Sequence, residues 1–245
     1  MSFLKDDPGV RRARLAPVWR YSPQHSTDTV EAGLIAAHNR IGGLLMRLGE
    51  ATGIAPPLAL AVWMVECGGA GFVRGRPILR FENHKFHRLW GKDNETRFDK
   101  HFQFGGHGGI EGRPWEQHRF RASPGTEWRR FHGDQEAERA VLAFAARLAG
   151  RETACRCASF GGPQIMGFNH DLIGYGSASD MARAFSRSER WQVCGFFDFC
   201  RAKDLVSSLR TGDWHAFAAV YNGPGNAGAY AARMADAHAR ALALV

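Results

Sequence analysis

The sequence predicts one α+β domain, predominantly helical, on three observations. Seven segments carry apolar residues at helical spacing or are apolar nearly all round, a single short run reads as a strand, and no internal repeat divides the 245 residues. The composition, 44% hydrophobic with 17 Phe and 7 Trp, supplies a core and excludes a disordered, collagen-like or coiled-coil chain.

Residues 1–27 read as an irregular, proline-bearing arm ahead of a domain spanning 28–245. Asp28, with Glu31 three residues on, caps a helix over about 30–50 whose apolar face is Val30, Leu34, Ile35, Ile41, Leu44, Leu45 and Leu48. Pro56 and Pro57 suit the first turn of a second helix, PLALAVWMVEC, which is apolar nearly all round and stops at Gly68-Gly69. It is the expected buried helix, with one charge, Glu66, in its last turn. RPILRFE (76–82) reads as a short strand or hairpin.

From about 90 to 132 periodicity fails and glycines crowd at Gly105, Gly106, Gly108, Gly109 and Gly112. The aromatics Trp90, Phe98, Phe102, Phe104, Trp115, Phe120, Trp128 and Phe131 mark this stretch as an ordered insertion or lid, because a disordered linker would not carry them. Helical patterning returns over 134–149, closed by Gly150. ASFGGPQIMGFNH (158–170) reads as a tight turn leading toward a helix, and Ser177 with Asp180 caps the next one. A long helix over 189–210 and two more over 214–221 and 227–244 complete the chain.

The charge of +8 and pI near 9.7 call for an anionic partner: nucleic acid, a membrane surface or an acidic wall polymer. No nucleic-acid motif is present and the arginines are scattered, which argues against nucleic acid. The apolar stretch Ile54 to Val65 falls short of the ~20 residues a spanning helix needs. The N-terminal residues MSFLKDDPGVRRARLAPVWRY put acids and arginines where a signal peptide needs an apolar region. The expectation is synthesis in the cytoplasm, with delivery by another route if the chain acts outside it. Five cysteines in no paired pattern read as mostly buried thiols. The histidines His84, His87, His101, His107, His118 and His132 match no standard zinc spacing, so no metal and no cofactor is expected.

Burying an ionised carboxylate costs several kcal/mol unless its pKa rises. Glu66 follows Val62 and Trp63 on an apolar helix and sits at the negative end of its dipole, and both effects keep its proton on. A carboxyl still protonated near neutrality suits the general acid of glycoside hydrolysis. The alternative is a solvated or arginine-paired acid before the Gly-Gly turn.

Four ordered blocks, VECGGAGF, GRPILRFENHKF, PQIMGFN and YNGP, resemble the N-acetylmuramidase domain of phage endolysins, within the lysozyme-like superfamily of goose-type lysozymes and lytic transglycosylases. The resemblance spans roughly residues 50 to 240. It implies a bilobed, α-rich fold with a small β element, peptidoglycan as substrate, and Glu66 as catalytic acid. Departures are Cys67 where Ser is usual, Phe160 where Trp is common, and the enlarged 90–132 insertion.

Glu82 is the second candidate carboxylate, read as nucleophile or base for water, or else as a structural acid paired with Arg80 or His84. Tyr221 and Asn222 are expected to shape the site and to hydrogen-bond sugar or Glu66, with Ser159 and Gln164 lining the cleft. The expected activity is a monomeric hydrolase cutting the β-1,4 bond between N-acetylmuramic acid and N-acetylglucosamine. The alternatives are a lytic transglycosylase giving 1,6-anhydro products and a noncatalytic wall-binding module.

The charge generates a direct expectation: binding to insoluble peptidoglycan weakens steadily across a salt series, because screening shortens the reach of the +8 charge. A flat response would show that the basic surface is not directed at the wall.

Overall fold

The computed structural model describes residues 2–22, 28–105 and 117–244. His107, Trp115, Gly106, Gly108, Gly109 and Gly112 of the insertion lie outside the described residues. The expected irregular arm is helical over part of its described length. A 3-10 turn at Leu4–Asp6 and helix α1 (Pro8–Arg12) bury Leu4 and Val10 in the core. The carboxylate of Asp198 accepts the Leu4 N–H at 2.9 Å, and Arg190 donates to the carbonyls of Val10 and Ala13. Arg190 and Asp198, invisible as partners in sequence, hold this segment down.

Helix α2 (Thr29–Thr52) begins where Asp28 accepts from the N–H groups of Val30 and Glu31, as its capping pattern requires. Helix α3 (Pro56–Cys67) follows, and eight of its residues from Pro57 to Val65 are buried. A helix apolar on every side must be enclosed, and α2 and the last helix, α12 (Ala227–Ala243), pack against it.

Strands β1 (Phe72–Val73) and β2 (Arg76–Pro77) form a two-residue ladder, and β3 (Leu79–Phe81) follows. The predicted 76–82 strand is therefore split at Ile78. After helix α4 (Asn83–Leu89) and the short α5 (Glu95–Asp99), strands β4 (Phe102–Gln103), β5 (Arg119–Phe120) and β6 (Arg129–Arg130) build an antiparallel sheet within the insertion. Phe98, Phe102, Phe104 and Phe131 are buried there, the ordered packing their number demanded.

Helices α6 (Gln135–Ala149) and α7 (Arg151–Arg156) lead to the hairpin β7 (Ala158–Phe160) and β8 (Ile165–Met166), with β7 central between β3 and β8. The expected turn at 158–170 is thus a strand pair, and only 3-10 turns follow it. Helix α8 (Ala178–Arg187) starts at the Ser177 cap. The long helix expected over 189–210 breaks into α9 (Glu189–Ala202) and α10 (Val206–Thr211). Asp204 takes a left-handed φ of 55°, and the chain turns Leu205 into the core. Helix α11 (Trp214–Tyr221) precedes α12.

Two apolar cores result. One joins α2, α3 and α9 to α12; the other holds β3, α4 to α8 and the insertion. Helix α9 is their shared wall, and its Gln192 is fully buried. The Gln192 amide accepts the Gly162 N–H at 2.9 Å and donates to the Phe185 carbonyl at 2.9 Å and the Gly71 carbonyl at 3.4 Å. The hairpin reaches it only through Gly161 and Gly162. Gly161 has φ +72°, and a Cβ on it would sit 2.6 Å from the Gln192 amide carbon, while one on Gly162 would sit 2.6 Å from the Trp63 ring.

Gln192→Met keeps the volume but strands the Gly162 N–H and the Phe185 carbonyl, and should cost about 2–4 kcal/mol. A denaturant midpoint unchanged from wild type at equal slope would show that the amide is replaceable.

Candidate active site

Glu66 occupies the last turn of α3, which ends in Gly68 at φ 62° and Gly69 at φ 84°. Its Oε1 accepts a hydrogen bond from the Asn222 amide nitrogen at 2.8 Å. Burial raises its pKa to about 7, against the opposing pull of the Asn222 hydrogen bond and the Arg233 charge. Asn222 caps α11, and its other amide atom, Oδ1, is buried with no hydrogen-bond partner among the described residues.

The second wall is β3 and the residue after it. One edge of β3 pairs with β7; the other would leave unmet polar groups, which are costly when buried. Three side chains meet them. Gln135 accepts the Leu79 N–H at 2.9 Å and donates to its carbonyl at 3.0 Å, Glu138 accepts the Phe81 N–H at 2.7 Å, and His132 Nε2 lies 3.0 Å from the Phe81 oxygen.

Held at the end of this strand, Glu82 accepts from Arg80 Nε at 3.0 Å, while the Nδ1 atoms of His84 and His118 lie 3.4 and 3.5 Å from its Oε2. Burial alone works to raise its pKa, but His84, His118, Arg80 and His132 carry it down to about 2. Glu82 is ionised where Glu66 is protonated.

All six candidate residues, Glu66, Glu82, Ser159, Gln164, Tyr221 and Asn222, line one cleft of about 510 Å³. Ser159 donates to Gln164 Oε1 at 2.8 Å and Gln164 Nε2 donates to the Gly161 carbonyl at 2.7 Å, so these two side chains brace the hairpin that forms the floor. Tyr221 donates to the Pro163 carbonyl at 2.7 Å, tying α11 to the same hairpin.

Glu138 also faces the cleft and is a residue that sequence reasoning missed. It is 1% exposed, and burial pushes its pKa to about 8. The available signal was its place in the stripe Glu138, Val141 and Ala145, the buried face of α6. Of the other histidines, His87 is buried against Phe98 and Phe104, and His101 bonds the Arg121 carbonyl. The four cysteines other than Cys67 are buried, and all five are free.

A family model for N-acetylmuramidase matches residues 55–242. Among solved structures, the endolysin of the Burkholderia phage AP3 is similar, with 26% sequence identity and a TM-score of 0.61 over 91% of this chain and 73% of that chain. No curated protein sequence matches.

The raised pKa of Glu66 carries a stability cost with a defined sign. The protonated carboxyl is favoured in the fold, so its contribution is complete below about 4.5 and is lost as pH rises through about 7. Glu66→Gln should therefore melt close to wild type at pH 5 and be more stable at pH 8, by up to about 3 kcal/mol. An equal difference at both pH values would contradict the burial argument.

Proposed function

The chain belongs to the N-acetylmuramidase family, and on that premise we propose that it hydrolyses the β-1,4 bond between N-acetylmuramic acid and N-acetylglucosamine with Glu66 as general acid. The observation that carries this reading is a carboxyl raised to about 7, held by Asn222, in a cleft that also contains an ionised carboxylate. Two carboxyls driven apart in pKa are the usual basis for dividing acid and anion roles.

Because Asn222 donates to Oε1, the proton of Glu66 resides on Oε2. Transfer to the glycosidic oxygen leaves a carboxylate that Asn222 and Arg233 stabilise, and that carboxylate can then take a proton from the attacking water. Glu82, bound by Arg80 and two imidazoles, is a weak base and a poor nucleophile. Its negative charge instead opposes the positive charge that develops at the anomeric carbon.

A single acid/base is also what a lytic transglycosylase requires, and the engagement of Glu82 by cationic and imidazole groups favours that second reading. Water as acceptor leaves a reducing end; the muramyl 6-hydroxyl leaves a 1,6-anhydro end. No helix among the described residues is long and apolar enough to cross a membrane.

Glu66→Gln should lower turbidity loss of purified peptidoglycan ~10²–10⁴-fold with an unchanged circular dichroism spectrum. A folded variant keeping more than about a tenth of the rate would remove Glu66 from the role of acid. Wild-type activity should fall as pH rises through about 7, as the acid loses its proton. Glu82→Gln should cost less than Glu66→Gln, and mass spectrometry of the products should find reducing ends.

A further inference from the structure

Glu82 also lines a second cavity of about 450 Å³, bordered by Arg80, His84, His118, Arg130 and His132. One donor atom from each of Glu82, His84 and His118 lies within 4.8 Å of the others. The two imidazole nitrogens approach the same carboxylate oxygen at 3.4 and 3.5 Å. Tetrahedral ligands at the ~2.0–2.1 Å zinc bond length stand ~3.3–3.4 Å apart, which is this spacing.

The donor atoms face one another. His84 Nδ1 is buried and makes no hydrogen bond of good geometry among the described residues. His118 Nδ1 accepts the Asn83 N–H from 3.3 Å, a long bond that an ion would displace. Arg80 bonds Oε1 of Glu82, which fixes the carboxylate plane and leaves Oε2 turned to the imidazoles. An ion here would take the place of the protons through which the imidazoles engage Glu82, with two nitrogens and one carboxylate oxygen converging on it.

We propose that Glu82, His84 and His118 bind a divalent transition-metal ion of the zinc class. The donor set is one carboxylate oxygen and two imidazole nitrogens, a borderline set suited to zinc rather than to magnesium or calcium. Three protein donors leave a position for water or another ligand. The ion would fasten three separate pieces: the end of β3, the first turn of α4, and the segment entering β5. The insertion would thereby be pinned to the rim of the cleft. The spacing 82, 84 and 118 matches no zinc motif, because the third ligand arrives through the fold of the insertion.

The test uses the full chain stripped with a chelator, dialysed, and titrated with Zn²⁺ by calorimetry, with metal content measured after gel filtration. The expected result is one ion per chain and a raised melting temperature. His84→Ala and Glu82→Gln should each weaken binding ~100-fold or more, exceeding what loss of an outer-sphere partner costs, while His101→Ala leaves it unchanged. Cobalt substitution should give the visible absorption of a low-coordinate site, lost in the same variants. Failure of the stripped wild type to take up Zn²⁺, or binding that survives both substitutions, overturns the proposal. No glycan cleavage is measured, so the outcome is independent of the role of Glu66.

Discussion

The buried amide of Gln192 is the contact on which the relative placement of the two cores depends. It bonds the loop after α3, the hairpin turn and the end of α8 from one point on α9. Glu66 belongs to one core and Glu82 to the other, so the width of the cleft between them is set by groups that meet at this side chain. Arg40 and Glu189 reinforce the same junction. Their paired hydrogen bonds of 2.9 and 3.0 Å join α2 to α9, and Glu189 also accepts the Gly71 N–H at 3.1 Å. A charge pair with this fork geometry resists shear between helices as well as separation.

Within the cleft, two residues of identical chemistry are driven to opposite protonation states by what surrounds them. Glu66 meets apolar helix and a neutral amide; Glu82 meets a guanidinium and imidazoles. The difference originates in secondary structure. A helix apolar on all sides can carry a carboxyl to its end only by desolvating it, whereas an edge strand leaves room for polar side chains to gather. Gln135 and Glu138 cover the free edge of β3 in place of another strand, which fixes the backbone that presents Glu82.

Features governed by local periodicity were legible in the sequence. The bounds of α3, the Asp28 and Ser177 caps and the end of α11 at Tyr221-Asn222 follow from apolar spacing and turn residues, and the residues placed there converge on one cleft. Features governed by tertiary pairing were not. Gln192, Gln135 and Glu138 are polar residues on helices, indistinguishable in sequence from solvated ones, and only the partner backbones reveal them. The break at Asp204 was hidden for the opposite reason, because the apolar pattern continues across it to Leu209 while the backbone does not. The burial of Leu4 and Val10 depends on polar residues nearly two hundred positions away, beyond any local signal.

The enclosure of α3 also dictates an order of events. Its covering helix lies far along the chain: Arg233 meets the Val65 carbonyl across 168 residues, and Asn222 reaches Glu66 across 156. During synthesis the most apolar helix therefore emerges long before the surface that will cover it. Late closure of such long-range contacts slows folding and prolongs the exposure of sticky segments. Yield on expression or refolding should then be governed by how long α3 waits, so that shielding this one helix with a chaperone would matter more than any change at the surface of the finished protein.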